Sequence, residues 1–510
     1  MYMLNRIILF WILVLPIHVT AQQCIVRGTA KGFEEKILAV VGLEEELSGK
    51  RNVLAQCEIG AKGDFEIQFS PGTTRRVYLH VQRIEAPLFV ESGSIYEVVF
   101  PLPGKSDFRR FDNTEVALEI VNPNPADLNI EIRKFNSDYT RFISEHFYDF
   151  ATDEYRGSKE YLKYLGEKKQ ASDLYRHSES SDSSTFDSTK NFQRFVKQFD
   201  DSVSSSESWP KESDFLRAYK RFSIAELYLL AGMNRKQFYE TFFMSLQPPM
   251  HNPAFMECFK LFARNMLVGQ KGPAQSAIVR AVNVDRDLDL LSKALAPESE
   301  IASERLRKMA CINGLKEVYF NKTFDRASID LLLGKVHSDD TTVANIAAAV
   351  AYQLKRCRAG WKIQPTVFTD ENQEKWTLAN ADGMPVYMLF FATWSPNSLK
   401  EIQVLERWQE KFKGRVQIVA VCMDDDYSSY RKFLESNLKL PIKLLYGNAE
   451  PFVHEKFNLK SIPHVVLLDT EQQISSDVCP LPSEPLFESF LNRLAPVSPK
   501  KQGMKTWKDR

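Results

Sequence analysis

Thiols are the side chains in this sequence best suited to redox or metal chemistry, and their spacing limits what they can do. No two cysteines are close enough to form a CxxC redox pair or a zinc-type pair. We expect a disulfide between Cys24 and Cys57, because both lie on predicted strands of one small domain; buried free thiols are the alternative. The seven cysteines are Cys24, Cys57, Cys258, Cys311, Cys357, Cys422 and Cys479.

Histidines, glycines and net charge point to no other chemistry. The eight histidines are dispersed, and none lies three or four residues from another with carboxylate support. The sequence also has no glycine-rich loop that could cradle a phosphate. We therefore predict no metal site and no cofactor. Basic and acidic side chains balance at 66 each, which gives no argument for nucleic acid or an anionic membrane as partner.

The N-terminus has the features of an export signal. Arg6 precedes an apolar run at residues 7–17, and small residues before Gln22 offer a cleavage site. We predict a signal peptide at residues 1–21 and a periplasmic or secreted protein. An uncleaved anchor and a lipid-modified Cys24 are the alternatives, and only these would bring the chain to a membrane.

Changes in residue pattern along the chain predict a multidomain protein. Residues 22–115 are β-rich: Asp64–Phe69 alternates polar and apolar residues, and 77–81 and 95–100 are further strand candidates. We predict a β-sandwich here. Residues 116–358 favour helices, with apolar stripes that begin at Phe215 and at Val343. Two serine-rich stretches, 177–190 and 201–208, are interpreted as mobile loops.

Strands and helices alternate over residues 359–496, which predicts an α/β fold. The continuous apolar run at 386–391 suits a central strand buried on both faces. A helix with Ile402, Leu405 and Phe412 on its inner side should follow, then strands at 416–421 and 464–468 with a helix that runs to Leu438 between them. The tail at 497–510 is basic, and we expect it to be disordered.

Several motifs in this last region resemble those of TlpA-like thioredoxin-fold proteins, an extracytoplasmic family of Gram-negative bacteria. The run FFATW at 390–394 is similar to the strand end that carries the family's active-site loop. DGMPV at 382–386 fits the turn into the central strand, and Glu401 matches a glutamate common in the family. LKSIPH at 459–464 resembles the loop that holds the family's cis-proline. The front domains resemble those of multidomain members more loosely, by architecture.

The chain departs from the family where the redox cysteines should be. The family continues as Trp-Cys-x-x-Cys, whereas this sequence reads WSPNS at 394–398. Dithiol exchange needs one sulfur that attacks a disulfide and a second that resolves the intermediate. Ser395 and Ser398 can do neither, so the resemblance implies a degenerate site. Its binding surface, formed by Trp394, Ile462, Pro463 and His464, could still hold an extended peptide.

Two enzymatic alternatives remain open at this stage. Redox chemistry could have moved to Cys422 or Cys479, which we expect at the ends of non-adjacent strands. A hydrolase could pair Ser395 with His464, but no carboxylate is placed to orient the histidine and no nucleophile elbow is present. We favour a non-catalytic binding or scaffolding module of the cell envelope that engages an extended peptide or a partner protein. A TlpA-like disulfide reductase is the alternative.

Overall fold

In the computed structural model, the described residues are 23–102, 114–121, 127–150, 188–206, 212–244, 247–268, 270–336, 340–437, 441–448, 452–476 and 478–495. The expected signal peptide (1–21), the tail (497–510), most of the first serine-rich stretch (177–187) and Leu438 lie outside them. The described chain forms a β-sandwich, a helical region and an α/β domain, in the order that the sequence predicts.

The N-terminal region is a sandwich of two sheets, because each strand has one apolar face. In β4, for example, Phe65, Ile67 and Phe69 are buried and the alternate residues are exposed. The strands are β1 (Cys24–Thr29), β2 (Ile37–Leu43), β3 (Arg51–Glu58), β4 (Asp64–Phe69), β5 (Arg75–Val81), β6 (Ile84–Val90), β7 (Ile95–Val99), β8 (Thr114–Glu115) and β9 (Glu119–Ile120). The two sheets have the orders β4-β1-β7-β9 and β3-β2-β5-β6-β8. Since β9 pairs with β7, the sandwich continues beyond residue 115, where the sequence placed its end.

The expected bond between Cys24 and Cys57 is not formed, and that prediction is wrong. Cys24 lies on β1 and Cys57 on β3, which belong to opposite sheets, and both thiols are free. Cys24 is fully buried, and burial raises its pKa to about 12. The other five cysteines are also free thiols. Strand membership alone did not reveal which sheet each cysteine would join.

Most helices of the middle region pack around one large aromatic core, in which Phe243 and Phe255 are almost wholly buried, while the first two helices contribute to separate apolar clusters. Its helices are α1 (Leu128–Phe150), α2 (Ser188–Ser204), α3 (Asp214–Leu230), α4 (Arg235–Phe238), α5 (Pro253–Phe262), α6 (Gly272–Arg280), α7 (Leu288–Ser299), α8 (Glu304–Val318), α9 (Arg326–Gly334) and α10 (Thr341–Lys355), with π-helical turns at Tyr239–Phe243 and Ala281–Asp285. The stripes that begin at Phe215 and Val343 lie on α3 and α10, as predicted.

The interpretation of the second serine-rich stretch, 201–208, as a mobile loop is wrong for residues 201–204. Its serines up to Ser204 belong to α2, and Ser202 donates its hydroxyl to the carbonyl of Phe199. The helix forms because its other face buries Phe192 and Val196 against Phe142 of α1. Tertiary burial here outweighs the weak helix propensity of serine.

The C-terminal region is a six-stranded sheet with helices on its faces. Its elements are β10 (Val367–Asp370), β11 (Lys375–Thr377), β12 (Val386–Phe391), α11 (Pro396–Phe412), β13 (Gln417–Cys422), α12 (Tyr427–Asn437), β14 (Lys443–Tyr446), α13 (Val453–Lys456), β15 (His464–Leu468) and α14 (Phe487–Leu494), with a 3₁₀ turn at Leu378–Ala381. The strand order is β11-β10-β14-β13-β12-β15. Every residue of β12 is buried, as its continuous apolar run predicted.

The sandwich contacts both other regions. Leu47 inserts into the helical core and is 1% exposed. Arg51 of β3 donates to Glu455 of α13, and Arg83 after β5 forms a bidentate ion pair with Asp425 after β13. The three regions are therefore joined by buried side chains and by charge. Over the residues that the structure describes, no helix combines the length and the apolar character needed to cross a bilayer.

Candidate functional site

The loop that resembles an active site leads directly into helix α11. Ser395 is the residue before the helix, and its Oγ accepts a hydrogen bond from the backbone N–H of Ser398 at 3.3 Å. Serine is a favoured N-cap, and Pro396 suits the first helical position because its missing N–H would have no partner there. The sequence WSPNS therefore builds the same strand-loop-helix junction that a CxxC motif would occupy.

Both serines are buried at this junction. Ser395 is 7% exposed and Ser398 is fully buried. Within the described chain, the Ser398 Oγ has no hydrogen-bond partner. A buried hydroxyl without a partner costs free energy, so Ser398 is not explained by its local contacts. Its position one helical turn from Ser395 is the spacing at which a second redox sulfur would stand.

Asp424 fixes the loop between β12 and α11. The carboxylate of Asp424 accepts the backbone N–H of Thr393 at 2.9 Å and also the hydroxyl of Thr393. Asp424 is 2% exposed, and burial raises its pKa, although the two bonds from Thr393 oppose that rise. Because Asp424 follows β13, the neighbour of β12, the sheet itself places this anchor. No pattern in the sequence pointed to Asp424.

Glu401 has a structural partner. Its carboxylate accepts the backbone N–H of Ser483 at 2.9 Å and the Ser483 hydroxyl at 2.6 Å. Glu401 is 6% exposed, so these charge-assisted bonds offset the cost of burying the carboxylate. They hold the segment before α14 against α11. The family match had identified Glu401, but nothing in the sequence pointed to Ser483.

The proline loop lies at the same end of the strands as the two serines. The Ile462–Pro463 peptide is cis, as the resemblance implied. Strand β15 starts at His464, which is paired with Phe390 near the end of β12. The two loops therefore lie side by side, since one follows the end of β12 and the other leads into the start of β15. Trp394 is 44% exposed there, while Ile462 packs partly against the core of the domain.

Ser395 and His464 do not form a nucleophile and base. Among the described residues no hydrogen bond joins them, and the Ser395 Oγ is engaged in capping α11. His464 is part of β15, and burial lowers its pKa. A hydrolytic serine needs a base that is bonded to it and oriented by a third group. The geometry lacks both parts of that arrangement.

Cys422 and Cys479, the two alternative redox thiols, are also poorly placed for such chemistry. Cys422 is fully buried at the end of β13, and burial raises its pKa well above the ordinary value. The thiolate is the reactive form, so this environment makes Cys422 a poor nucleophile. Cys479 is partly buried and packs against the same apolar cluster, but the two are free thiols and not a disulfide.

The comparison with protein-family models agrees with this geometry. The model of a thioredoxin-like family matches residues 383–474. No curated protein sequence matches the chain. Among solved structures, the thioredoxin domain of a thiol-disulfide oxidoreductase from Bacteroides vulgatus is 18% identical, with 27% of this chain and 97% of that one covered and a TM-score of 0.23.

Two further solved structures are similar to part of this chain. A thiol:disulfide interchange protein from Bacteroides sp. is 19% identical, with 29% of this chain and 95% of that one covered and a TM-score of 0.23. StoA from Bacillus subtilis is 17% identical, with coverages of 22% and 85% and a TM-score of 0.20. With its sheet order, its cis-proline loop and the matching family model, the C-terminal region of this chain is a thioredoxin-like domain.

Proposed function

We propose that this chain is a non-catalytic binding or scaffolding protein of the cell envelope. In this proposal the thioredoxin-like domain binds an extended segment of a partner protein. The observation that carries it is a complete loop architecture without sulfur: Ser395 caps α11 and Ser398 lies one turn inside it. Export rests on the signal-like residues 1–21 and on the extracytoplasmic setting of the family that the domain resembles.

The loss of dithiol chemistry follows from the replacement of sulfur by oxygen at positions 395 and 398. A helix N-terminus can lower a cysteine pKa from about 8.5 to between roughly 3.5 and 7.5, which makes the thiolate available. A serine hydroxyl ionises far less readily, and oxygen cannot form the sulfur–sulfur bond of the mixed intermediate. Losing one cysteine would leave a protein that traps partners, whereas losing both removes attack and resolution.

The proposed binding face consists of Trp394, Ile462, Pro463 and His464. Strand β15 lies at the edge of its sheet, and residues 474–475 pair with its end at Leu467 and Leu468. The start of β15, next to the proline loop, is the part of its outer side where a strand could be added. Across the residues that the structure describes, the backbone from 460 to 463 makes no hydrogen bond to other backbone groups. Pairing with an extended segment would satisfy these groups, and Trp394 would supply apolar contact area beside them.

Capture from the envelope fraction tests whether this face binds. The immobilised chain without residues 1–21 should enrich a specific protein. Trp394→Ala should weaken that enrichment about tenfold or more, since a central aromatic anchor often carries about 2 kcal/mol or more. Pro463→Ala should weaken it to a similar extent. Leu486→Ala is the matched control, because Leu486 is apolar and 68% exposed in the same domain. Equal recovery by all three variants would show that another surface makes the contact.

A further inference from the structure

A group of side chains of metal-ligating types lies between the sandwich and the thioredoxin-like domain. His80 is on β5, whereas His454 and Glu455 are on α13. One ligand atom from each of the three lies within 4.8 Å of the other two. His80 is 1% exposed and His454 is 7% exposed. We name these three residues the interdomain triad.

We propose that the interdomain triad binds one Zn²⁺ ion and thereby links the two domains. Two imidazoles and one carboxylate form a ligand set that zinc accepts, with a fourth position left for water or another ligand. Imidazole ligands suit zinc and similar divalent ions better than magnesium or calcium, which prefer oxygen. The sequence predicted no metal site because the two halves of the triad are hundreds of residues apart.

The geometry requires a small contraction on binding. Bonds of about 2.0–2.2 Å to a tetrahedral ion would place the ligand atoms roughly 3.4 Å from one another. The present separations, up to 4.8 Å, exceed this by up to about 1.4 Å. The His80 and His454 rings are nearly parallel, with an angle of 22° and centroids 6.2 Å apart. Because the lone pair of an imidazole nitrogen lies in the plane of its ring, the two rings must tilt toward a common ion. Binding of the ion therefore requires rotations of the ligand side chains.

The charges around the triad are compatible with a cation. Burial lowers the pKa of His454 to about 4, so its imidazole is neutral at neutral pH and able to ligate. Arg51, Arg83 and Arg356 face the site and oppose a cation, but Arg51 also pairs with Glu85, and Arg83 pairs with Asp425. Arg51 donates to Glu455 at 2.5 Å. A carboxylate has two oxygens, so Arg51 can hold Glu455 while it ligates the ion.

An entry path is present beside the triad. A cavity of about 360 Å³ opens between the two domains and includes His454 in its lining. Gln82 from the sandwich and Tyr446 and Asn448 from the α/β domain also border it. A metal site needs such access for the hydrated ion. The cavity also gives room for the water at the fourth position.

Zinc titration of the metal-stripped chain tests the proposal. We expect one Zn²⁺ per chain by calorimetry and a higher melting temperature with zinc than with chelator. His80→Gln, His454→Gln and Glu455→Gln should each weaken binding by at least about 100-fold, more than the 10- to 100-fold typical of outer-sphere changes. The zinc-dependent rise is measured against each variant's own metal-free form, so a loss of basal stability does not confound it. His251→Gln, in the helical region, should bind as the unaltered chain does.

Cobalt(II) separates this site from the free cysteines. At the triad it should give visible d–d bands without a thiolate-to-metal charge-transfer band in the near ultraviolet. Such a charge-transfer band, unchanged zinc affinity in all three triad variants, or the absence of stoichiometric zinc binding would each overturn the proposal. None of these results bears on the binding face at Trp394, so the two proposals are tested separately.

Discussion

Replacing Ser395 and Ser398 together by cysteine should give this domain a working redox pair. The two positions are one helical turn apart at the start of α11, which is the spacing that a CxxC motif uses. The helix N-terminus would favour the thiolate of the first cysteine. We expect an intramolecular disulfide, seen by mass spectrometry as the loss of two hydrogens. Insulin reduction should rise about tenfold or more above the unaltered chain.

Single substitutions provide the control for this gain. Ser395→Cys alone has an attacking sulfur without a resolving one, so it should accumulate mixed disulfides and show no sustained turnover. Ser398→Cys alone should do neither, because position 398 is fully buried. If the double variant stays reduced and inactive under oxidising conditions, the loop geometry is not that of a redox site, and our structural argument for a degenerate motif fails.

Replacing Arg51 by alanine should strongly destabilise the contact between the sandwich and the thioredoxin-like domain. Arg51 lies between Glu85 and Glu455, and all three side chains are less than one-fifth exposed. Its removal leaves two carboxylates in a poorly solvated interface without their cation. Breaking a buried ion pair in this way typically costs 3–5 kcal/mol. We expect a loss of about 3 kcal/mol in urea unfolding, measured with chelator present so that metal binding does not contribute.

Two further variants show whether the interface causes the effect. Arg27→Ala removes an arginine from an ion pair with Glu97 on the same domain, where the side chains are 49% and 38% exposed, and it should change stability little. Arg51→Ala combined with Glu455→Gln removes one of the stranded charges and should recover part of the loss. Equal effects of Arg51→Ala and Arg27→Ala would show that charge at this interface does not hold the domains together.

Patterns within single elements predicted much of the fold. The apolar run of β12, the alternation in β4 and the stripes of α3 and α10 each determine their own element through burial. Weaker patterns failed. The short strands β10 and β14 were missed, and the serines of α2 suggested a loop. These elements depend on partners elsewhere in the chain, which local periodicity does not reveal.

The residues of the candidate site also fall into two groups, those that the sequence indicated and those that it did not. Ser395, Ser398 and Pro463 lie within motifs whose order along the chain resembles a family, so the sequence could indicate them. Asp424 and Ser483 act through hydrogen bonds to residues far from them in sequence. The interdomain triad needs two domains to pack before its members meet. No pattern in a single sequence encodes such contacts directly.

Insulin reduction by the unaltered chain distinguishes a non-catalytic protein from a disulfide reductase. Purified without residues 1–21, the chain is assayed for insulin reduction driven by dithiothreitol, beside a variant in which Cys422 and Cys479 are replaced by alanine. If the chain is non-catalytic, both reactions proceed at the rate of dithiothreitol alone. Turnover above that rate by the unaltered chain would contradict a non-catalytic role. If it persisted in the variant, chemistry at those two thiols would be excluded as its source as well.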